Sequence, residues 1–257
     1  LSIGIAMYPD DGTEFETLFT SARAAMRQAK EQGPGTFSFF NADKFKTSLE
    51  LASLSNVLRE AIELKQFHLN YQPFVDLQTG VIGGMEALLR WNHPELGAVS
   101  PARFIPVAEA SGQIIAIGDW VLRQTCRDIL QWQAAGLQVP AVSVNLSPAQ
   151  FRDPALVGKV RGILDEYGID ASQLFLELTE GALMNDIARS ESQMHALRAL
   201  GVKLALDDFG TGYSSLSYLK RFPFDKVKID QSFVRGIHTS AQDAVIAKVV
   251  ISMAHGL

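Results

Sequence analysis

The chain has 257 residues, 47% of them hydrophobic and 20% charged, with a net charge of −5. That is enough for one large domain or two smaller ones with buried cores. The mild acidity argues against electrostatic binding of polymeric DNA or RNA, but not against a small phosphate ligand held by a few placed groups and a metal.

The single cysteine, Cys126, allows no internal disulfide, which fits a reducing cytoplasm. No apolar run reaches the ~20 residues that a membrane span needs. The sequence starts at Leu1, without Met and in mid-strand by pattern, so we read it as a fragment of something longer. Membrane or sensory segments can lie outside it.

Leu1–Tyr8 alternates as a strand and runs into the turn Pro9-Asp10-Asp11-Gly12. Glu14–Gln32 has helical periodicity, stops at Gly33-Pro34-Gly35 and is followed by a strand at Thr36–Phe40. Residues 1–42 are too few for a stable domain and read as a small α/β remnant of one. Ala42–Gln66 is a long helical stretch, so residues 43–66 form a linker helix into the next domain, residues 67–257.

In that domain apolar strands alternate with amphipathic helices. Strands are expected at Phe67–Pro73, Val81–Trp91, Ala141–Leu146, Leu174–Leu178, Val202–Leu206 and Val227–Ile229. Helices are expected at Pro101–Ala110, Ile117–Ala135, Leu156–Tyr167, Ile187–Leu200, Ser214–Arg221 and Ala241–Ala254. From the third strand onward the βαβα rhythm implies an α/β fold with a parallel sheet and right-handed crossovers.

Polar residues recur at the strand ends. Asn145 closes Val-Ser-Val-Asn, Glu177 closes Leu-Phe-Leu-Glu, and Asp207-Asp208 follow Leu-Ala-Leu. They are spaced by about one βαβ period of ~30 residues, which sets them side by side at one rim. Glu86 joins them from an apolar strand, so Glu86, Asn145, Glu177, Asp207 and Asp208 converge at the carboxyl-terminal face. Taken alone, Asp208 can equally cap a helix and Asp207 be a solvated turn residue.

Four converging carboxylates need a counter-charge, because each like-charged pair at ~4 Å costs about 4 kcal/mol at an effective dielectric near 20. Raised pKa values are one resolution. Two divalent metals bridged by Asp207 are the other, and the one we favour, since such a pair activates water in phosphoester hydrolysis. Lys228, one strand on, either serves that chemistry or forms a structural salt bridge, with Asp230 the better partner and Asp225 the other.

Several lesser residues also have two readings. Arg90 binds a phosphate, or pairs with a carboxylate and stacks on Trp91; Gln72 touches a ligand or caps a strand edge. Glu180 holds the 208–214 loop or caps the Thr179–Gly181 turn. The five histidines show no metal spacing, and Ser143 and Ser147 lack a hydrolase arrangement.

Glu86-Ala87-Leu88-Leu89-Arg90-Trp91, with His93-Pro94, Gly97, Pro101 and Phe104-Ile105-Pro106 after it, closely resembles the EAL-domain family. Tyr71-Gln72-Pro73, Val144-Asn145-Leu146-Ser147, Glu177-Leu178-Thr179-Glu180, Asp207-Asp208-Phe209-Gly210-Thr211-Gly212 and Lys228-Ile229-Asp230 match its motifs in order, over about residues 49–257. The resemblance implies a TIM-like (β/α)8 barrel whose first strand is antiparallel. It also implies hydrolysis of cyclic di-GMP to linear pGpG with Mg²⁺ or Mn²⁺, two ions in all. Metal ligands would be Glu86, Asn145, Glu177, Asp207 and Asp208. Lys228 would be catalytic together with Glu86 and Asp207, and Gln72, Leu88 and Arg90 would contact substrate. Glu180 would position the 207–216 loop, which in the family also helps form homodimers. A non-catalytic cyclic di-GMP receptor is the alternative.

The beginning, through Ala24-Ala25-Met26 and Ala29-Lys30-Glu31-Gln32-Gly33, looks like the end of a GGDEF domain, with Arg23 and Arg27 departing from its usual aspartate and tyrosine. The family's barrel has two further strands, with a glutamate for the second metal, beyond the point where this sequence stops. The resemblance therefore implies a barrel left incomplete at its C-terminal end.

Overall fold

The computed structural model describes residues 1–31, 33–184, 186–210 and 221–256. The chain forms two compact units, Leu1–Arg59 and Glu60–Leu257.

In the first unit, β1 (Ile3–Ile5) pairs in parallel with β2 (Phe37–Phe39), and α1 (Phe15–Glu31) makes the crossover. Ser21, Ala25 and Ala29 form the buried stripe of α1, the four-residue spacing that lines one helix face. β1 is shorter than the alternation in Leu1–Tyr8 predicts. The Asp11 carboxylate accepts from the Met7 amide, and the Asp11 amide donates to the Met7 carbonyl, so this backbone closes a turn instead of a ladder. Helix α2 (Ala42–Glu60) stops short of the expected Gln66. Lys65 takes a left-handed φ of 53°, and the Gln66 carbonyl accepts from Asn92, which draws the chain into a sheet.

The second unit is mixed α/β around a seven-stranded sheet. Its strands are β3 (Phe67–Val75), β4 (Ile82–His93), β5 (Gly97–Val99), β6 (Val142–Asn145), β7 (Leu174–Thr179), β8 (Lys203–Phe209) and β9 (Lys226–Ile229). The order is β3-β4-β6-β7-β8-β9, with β5 paired to β4. β3 runs antiparallel to β4, and every later pair along that order is parallel. This is the TIM-like class, although among the described residues the sheet does not close into a barrel.

The strand chemistry accounts for this arrangement. β6 and β7 are nearly continuous buried runs, the Val- and Leu-rich pattern of central parallel strands. β3 and β4 are joined by a tight turn in which Asp76 Oδ1 accepts from the Gln78 amide and from the amide and hydroxyl of Thr79. Gly84 admits the Phe74 ring across the hairpin, where an added Cβ would lie 2.2 Å from that ring.

Helices cover one face of the sheet. α3 (Pro101–Ala110) starts with Pro at N1 and buries Phe104, Val107 and Ala108. α4 (Ile114–Ala134) presents Ile117, Val121, Leu122, Cys126 and Ile129. Trp91, Phe67 and Phe104 interlock beneath them, with ring centroids 5.5 to 6.0 Å apart. α5 (Pro148–Phe151) is one turn closed by a Ser147–Gln150 capping box. α6 (Leu156–Tyr167) ends on a left-handed Gly168, and α7 (Glu180–Leu183), α8 (Ile187–Ala199), α9 (Gln231–Arg235) and α10 (Ala241–Gly256) are the later helices among the described residues. Among the described residues no helix is long and apolar enough to cross a membrane.

The expected helix at Ser214–Arg221 and the 208–214 loop lie largely outside the described residues. β4 runs two residues beyond the expected Trp91, because β5 folds back and pairs Gly97 with His93. β8 likewise extends to Phe209, so Asp207 and Asp208 lie inside the strand rather than beyond its tip. The ladder between β8 and β9 is interrupted between Leu206 and Phe209, the local irregularity that re-aims side chains near a site.

Candidate active site

Alternation along the strands selects the residues that meet on the face opposite the helices. On β4, Glu86, Leu88 and Arg90 share that face, while Ala87 and Trp91 are buried on the other. Gln72 of β3 is the direct cross-strand partner of Glu86. Asn145 pairs in register with Glu177, and Thr179 with Asp207, so neighbouring strands carry their polar residues to one rim.

Glu86, Glu177 and Asp207 come together, each offering a carboxylate oxygen within 4.8 Å of the others. The Lys228 ammonium sits among them. It lies 3.0 Å from Glu86 Oε2, 2.5 Å from Glu177 Oε2 and 3.1 Å from Asp207 Oδ1. Asn145 Nδ2 donates to Glu86 Oε1 at 2.7 Å. The structural salt bridge expected from Lys228 to Asp230 or Asp225 is therefore not the one formed. Asp230 lies just past the end of β9, where its carboxylate caps α9 at Ser232. Asp225 instead receives the Leu204 amide and the Arg198 guanidinium.

The Glu177 side chain is 1% exposed. Burial raises its pKa, and the hydrogen bond and charge of Lys228 work in the opposite direction. For Lys228, burial would lower the pKa, but the hydrogen bond to Glu177 and the charges of Glu177 and Asp207 outweigh it, so the ammonium is held firmly protonated. Asp208 takes a left-handed φ of 52°, and burial followed by the charges of Asp207 and Asp230 raises its pKa.

The remaining expected residues fall as follows. Leu88 and Arg90 lie two and four residues beyond Glu86 on the same face. The Arg90 guanidinium donates to its neighbour's carbonyl, Leu89 O, at 2.9 Å and makes no ion pair among the described residues. The stacking of Arg90 on Trp91 does not occur, because alternation sends the Trp91 ring into the Phe67–Phe104 cluster. Glu180 Oε1 accepts from the Gly210 amide at 3.0 Å, reaching the loop that follows β8.

One residue of this face had no role in the sequence reading. Lys226 Nζ lies 3.9 Å from the Phe74 ring centre and 4.4 Å from that of Phe175. Burial lowers its pKa. Its alternation with Lys228 on β9 was the available signal.

The donor set fits a hard divalent cation. Every ligand it offers is a carboxylate or amide oxygen, the type that Mg²⁺ and Mn²⁺ select. Glu177 Oε1 is in addition buried and makes no close hydrogen bond among the described residues, although the nearby Ser143 hydroxyl helps to hold the Glu177 pKa down.

A family model described as EAL domain matches residues 55–257. The chain belongs to the EAL domain family. Over its full length it is 41% identical to the bifunctional diguanylate cyclase/cyclic di-GMP phosphodiesterase MucR of Pseudomonas aeruginosa, covering 37% of that protein. It is 36% identical to the cyclic di-GMP phosphodiesterase PdeR of Escherichia coli, again over its full length and covering 38% of that protein. The chain thus spans little more than a third of these relatives. Among solved structures, the PaMucR phosphodiesterase in complex with c-di-GMP matches at a TM-score of 0.76 and 41% identity, over 79% of this chain and 83% of that one. The EAL enzyme Bd1971 with cAMP and cyclic di-GMP bound matches at 0.78 and 30% identity, over 96% and 65% of the two chains.

Proposed function

We propose that this EAL domain hydrolyses one phosphoester bond of cyclic di-GMP, giving linear pGpG. The observation that carries the proposal is the meeting of Glu86, Glu177 and Asp207 around Lys228 on one face of a TIM-like sheet. The names of the relatives and the ligand in the matched structures support the substrate.

Glu86, Asn145, Glu177, Asp207 and Asp208 would hold Mg²⁺ or Mn²⁺, two ions in all. As a ligand, Asn145 would turn its amide oxygen toward the site. When bound, the ions would supply positive charge at the phosphoryl oxygens and lower the pKa of a water. Lys228 keeps its proton and offers a fixed positive charge to the phosphoryl group and to the attacking water. Gln72, Leu88 and Arg90 extend the same face and would contact the dinucleotide. Glu180 orders the start of the loop after β8.

We place this activity in the cytoplasm, with the domain acting as a homodimer under upstream sensory or GGDEF segments. Residues 1–42 read as the end of a GGDEF domain and 43–66 as the linker.

Incubation with cyclic di-GMP and Mn²⁺, with products resolved by anion-exchange chromatography, tests the proposal. Accumulation of pGpG is expected. Binding of the intact cyclic dinucleotide without turnover would establish the receptor reading instead.

A further inference from the structure

We infer that the Lys228 ammonium is the resident counter-ion of the acidic cluster, and that a divalent cation takes its place there only by displacing it. This rests on the metal reading above and goes beyond it, because it assigns the ammonium and the metal to the same three carboxylates.

The geometry is direct. The three residues whose oxygens lie within 4.8 Å of one another are Glu86, Glu177 and Asp207. Lys228 Nζ engages the same three, at 3.0, 2.5 and 3.1 Å. A hard divalent cation held by these carboxylates would take up the negative charge that the ammonium now neutralises. An ammonium donating to those same carboxylates would then lie close to a doubly charged ion, in a partly buried space. The two cations therefore compete.

The chain around Lys228 suits such an exchange. Glu177 is almost completely buried, so its charged form calls for a cation facing it. Lys228 ends in a flexible four-carbon stem, and its side chain is 29% exposed, which leaves it a way out of the cluster. Its neighbour on the same face, Lys226, is wedged between Phe74 and Phe175 and feels the charge of Glu177 at a distance. On displacement, the Lys228 ammonium is released from three carboxylates and can meet the phosphoryl oxygens of a substrate. Loading the ion and freeing Lys228 for catalysis are then one event.

The test uses the protein that carries this chain. Mn²⁺ affinity is measured by calorimetry in wild type, Lys228→Met and Lys228→Gln, and thermal unfolding is followed in EDTA. Both variants should bind Mn²⁺ roughly tenfold tighter than wild type, although they lack turnover, and both should melt at lower temperature in EDTA. In wild type, the Lys228 side-chain NMR signal should move along the same Mg²⁺ saturation curve as binding. That measurement needs no variant to fold. Equal or weaker Mn²⁺ affinity in the variants, or a Lys228 signal unmoved as Mg²⁺ saturates the wild type, overturns the inference and leaves the metal reading intact. Wild type that binds no Mn²⁺ overturns both.

Discussion

The Gly210 amide donates to Glu180 Oε1 at 3.0 Å, while the second oxygen of that carboxylate, Oε2, is buried with no close hydrogen bond among the described residues. This pair ties the first residue of α7 to the end of β8, just after Asp207 and Asp208. Glu180→Ala should destabilise the protein by about 0.5–1.5 kcal/mol, the net worth of a lost hydrogen bond, and should raise amide exchange at Gly210. Glu180→Gln keeps an acceptor and should restore most of the protection. Exchange followed by mass spectrometry distinguishes the two; equal exchange in wild type and Glu180→Ala would remove the loop-holding role.

Gly210 is constrained by its backbone and by its packing. Its φ is 103°, and an added Cβ would lie 2.7 Å from the Phe233 ring of α9. Gly210→Ala should cost about 1–3 kcal/mol through strain at this disfavoured φ, with the steric conflict adding to it. Phe233→Leu in the same background should recover only the steric part. Denaturant melts of the single and double variants measure the split, and full recovery would mean that backbone strain contributes nothing.

Tyr71 separates stability from chemistry. Its hydroxyl donates to Asp128 Oδ2 at 2.6 Å, and its ring packs edge-on to Trp132. Burial, followed by Asp128, raises its pKa and keeps the hydroxyl protonated. Tyr71→Phe should destabilise by about 1–3 kcal/mol, because Asp128 loses a donor in a partly buried place. Turnover should be unchanged, since Tyr71 faces α4 while Gln72 faces the site. A fall in kcat without loss of stability would contradict this division.

Glu86 is the reverse case. Its side chain is 19% exposed, and removing it takes one partner each from Lys228 and Asn145 while relieving repulsion with Glu177, so Glu86→Ala should stay folded, within about 1–3 kcal/mol of wild type. Turnover should drop by ~10²–10⁴, the usual range for removal of a catalytic group. Near-normal turnover in the folded variant would take Glu86 out of the site.

Much of this arrangement was legible in the residues. Pro101 at the first helical position and Gly168 after the last marked α3 and α6 to the residue. The apolar runs ending in Asn145, Glu177 and Asp207 indicated a shared rim, and Glu86, Glu177 and Asp207 do meet there. What was missed has physical causes. β5 and α5 are three and four residues long, too short to show periodicity. The position of Asp208 depends on a ladder irregularity and a left-handed φ, which tertiary pairing imposes on a non-glycine residue. The partners of Lys228 were sought among neighbours in sequence. The ones it has lie 142, 51 and 21 positions away, brought together only by the parallel sheet.

The central claim is that the carboxylates around Lys228 form a metal centre on which hydrolysis depends. Turnover of cyclic di-GMP, measured against free Mn²⁺ in wild type and Glu177→Gln side by side, tests it most directly. Wild-type turnover should vanish in EDTA and saturate with Mn²⁺, while Glu177→Gln should need roughly 10–100-fold more Mn²⁺ or fail to turn over at all. Undiminished hydrolysis in EDTA, or the same Mn²⁺ dependence in Glu177→Gln, would contradict it.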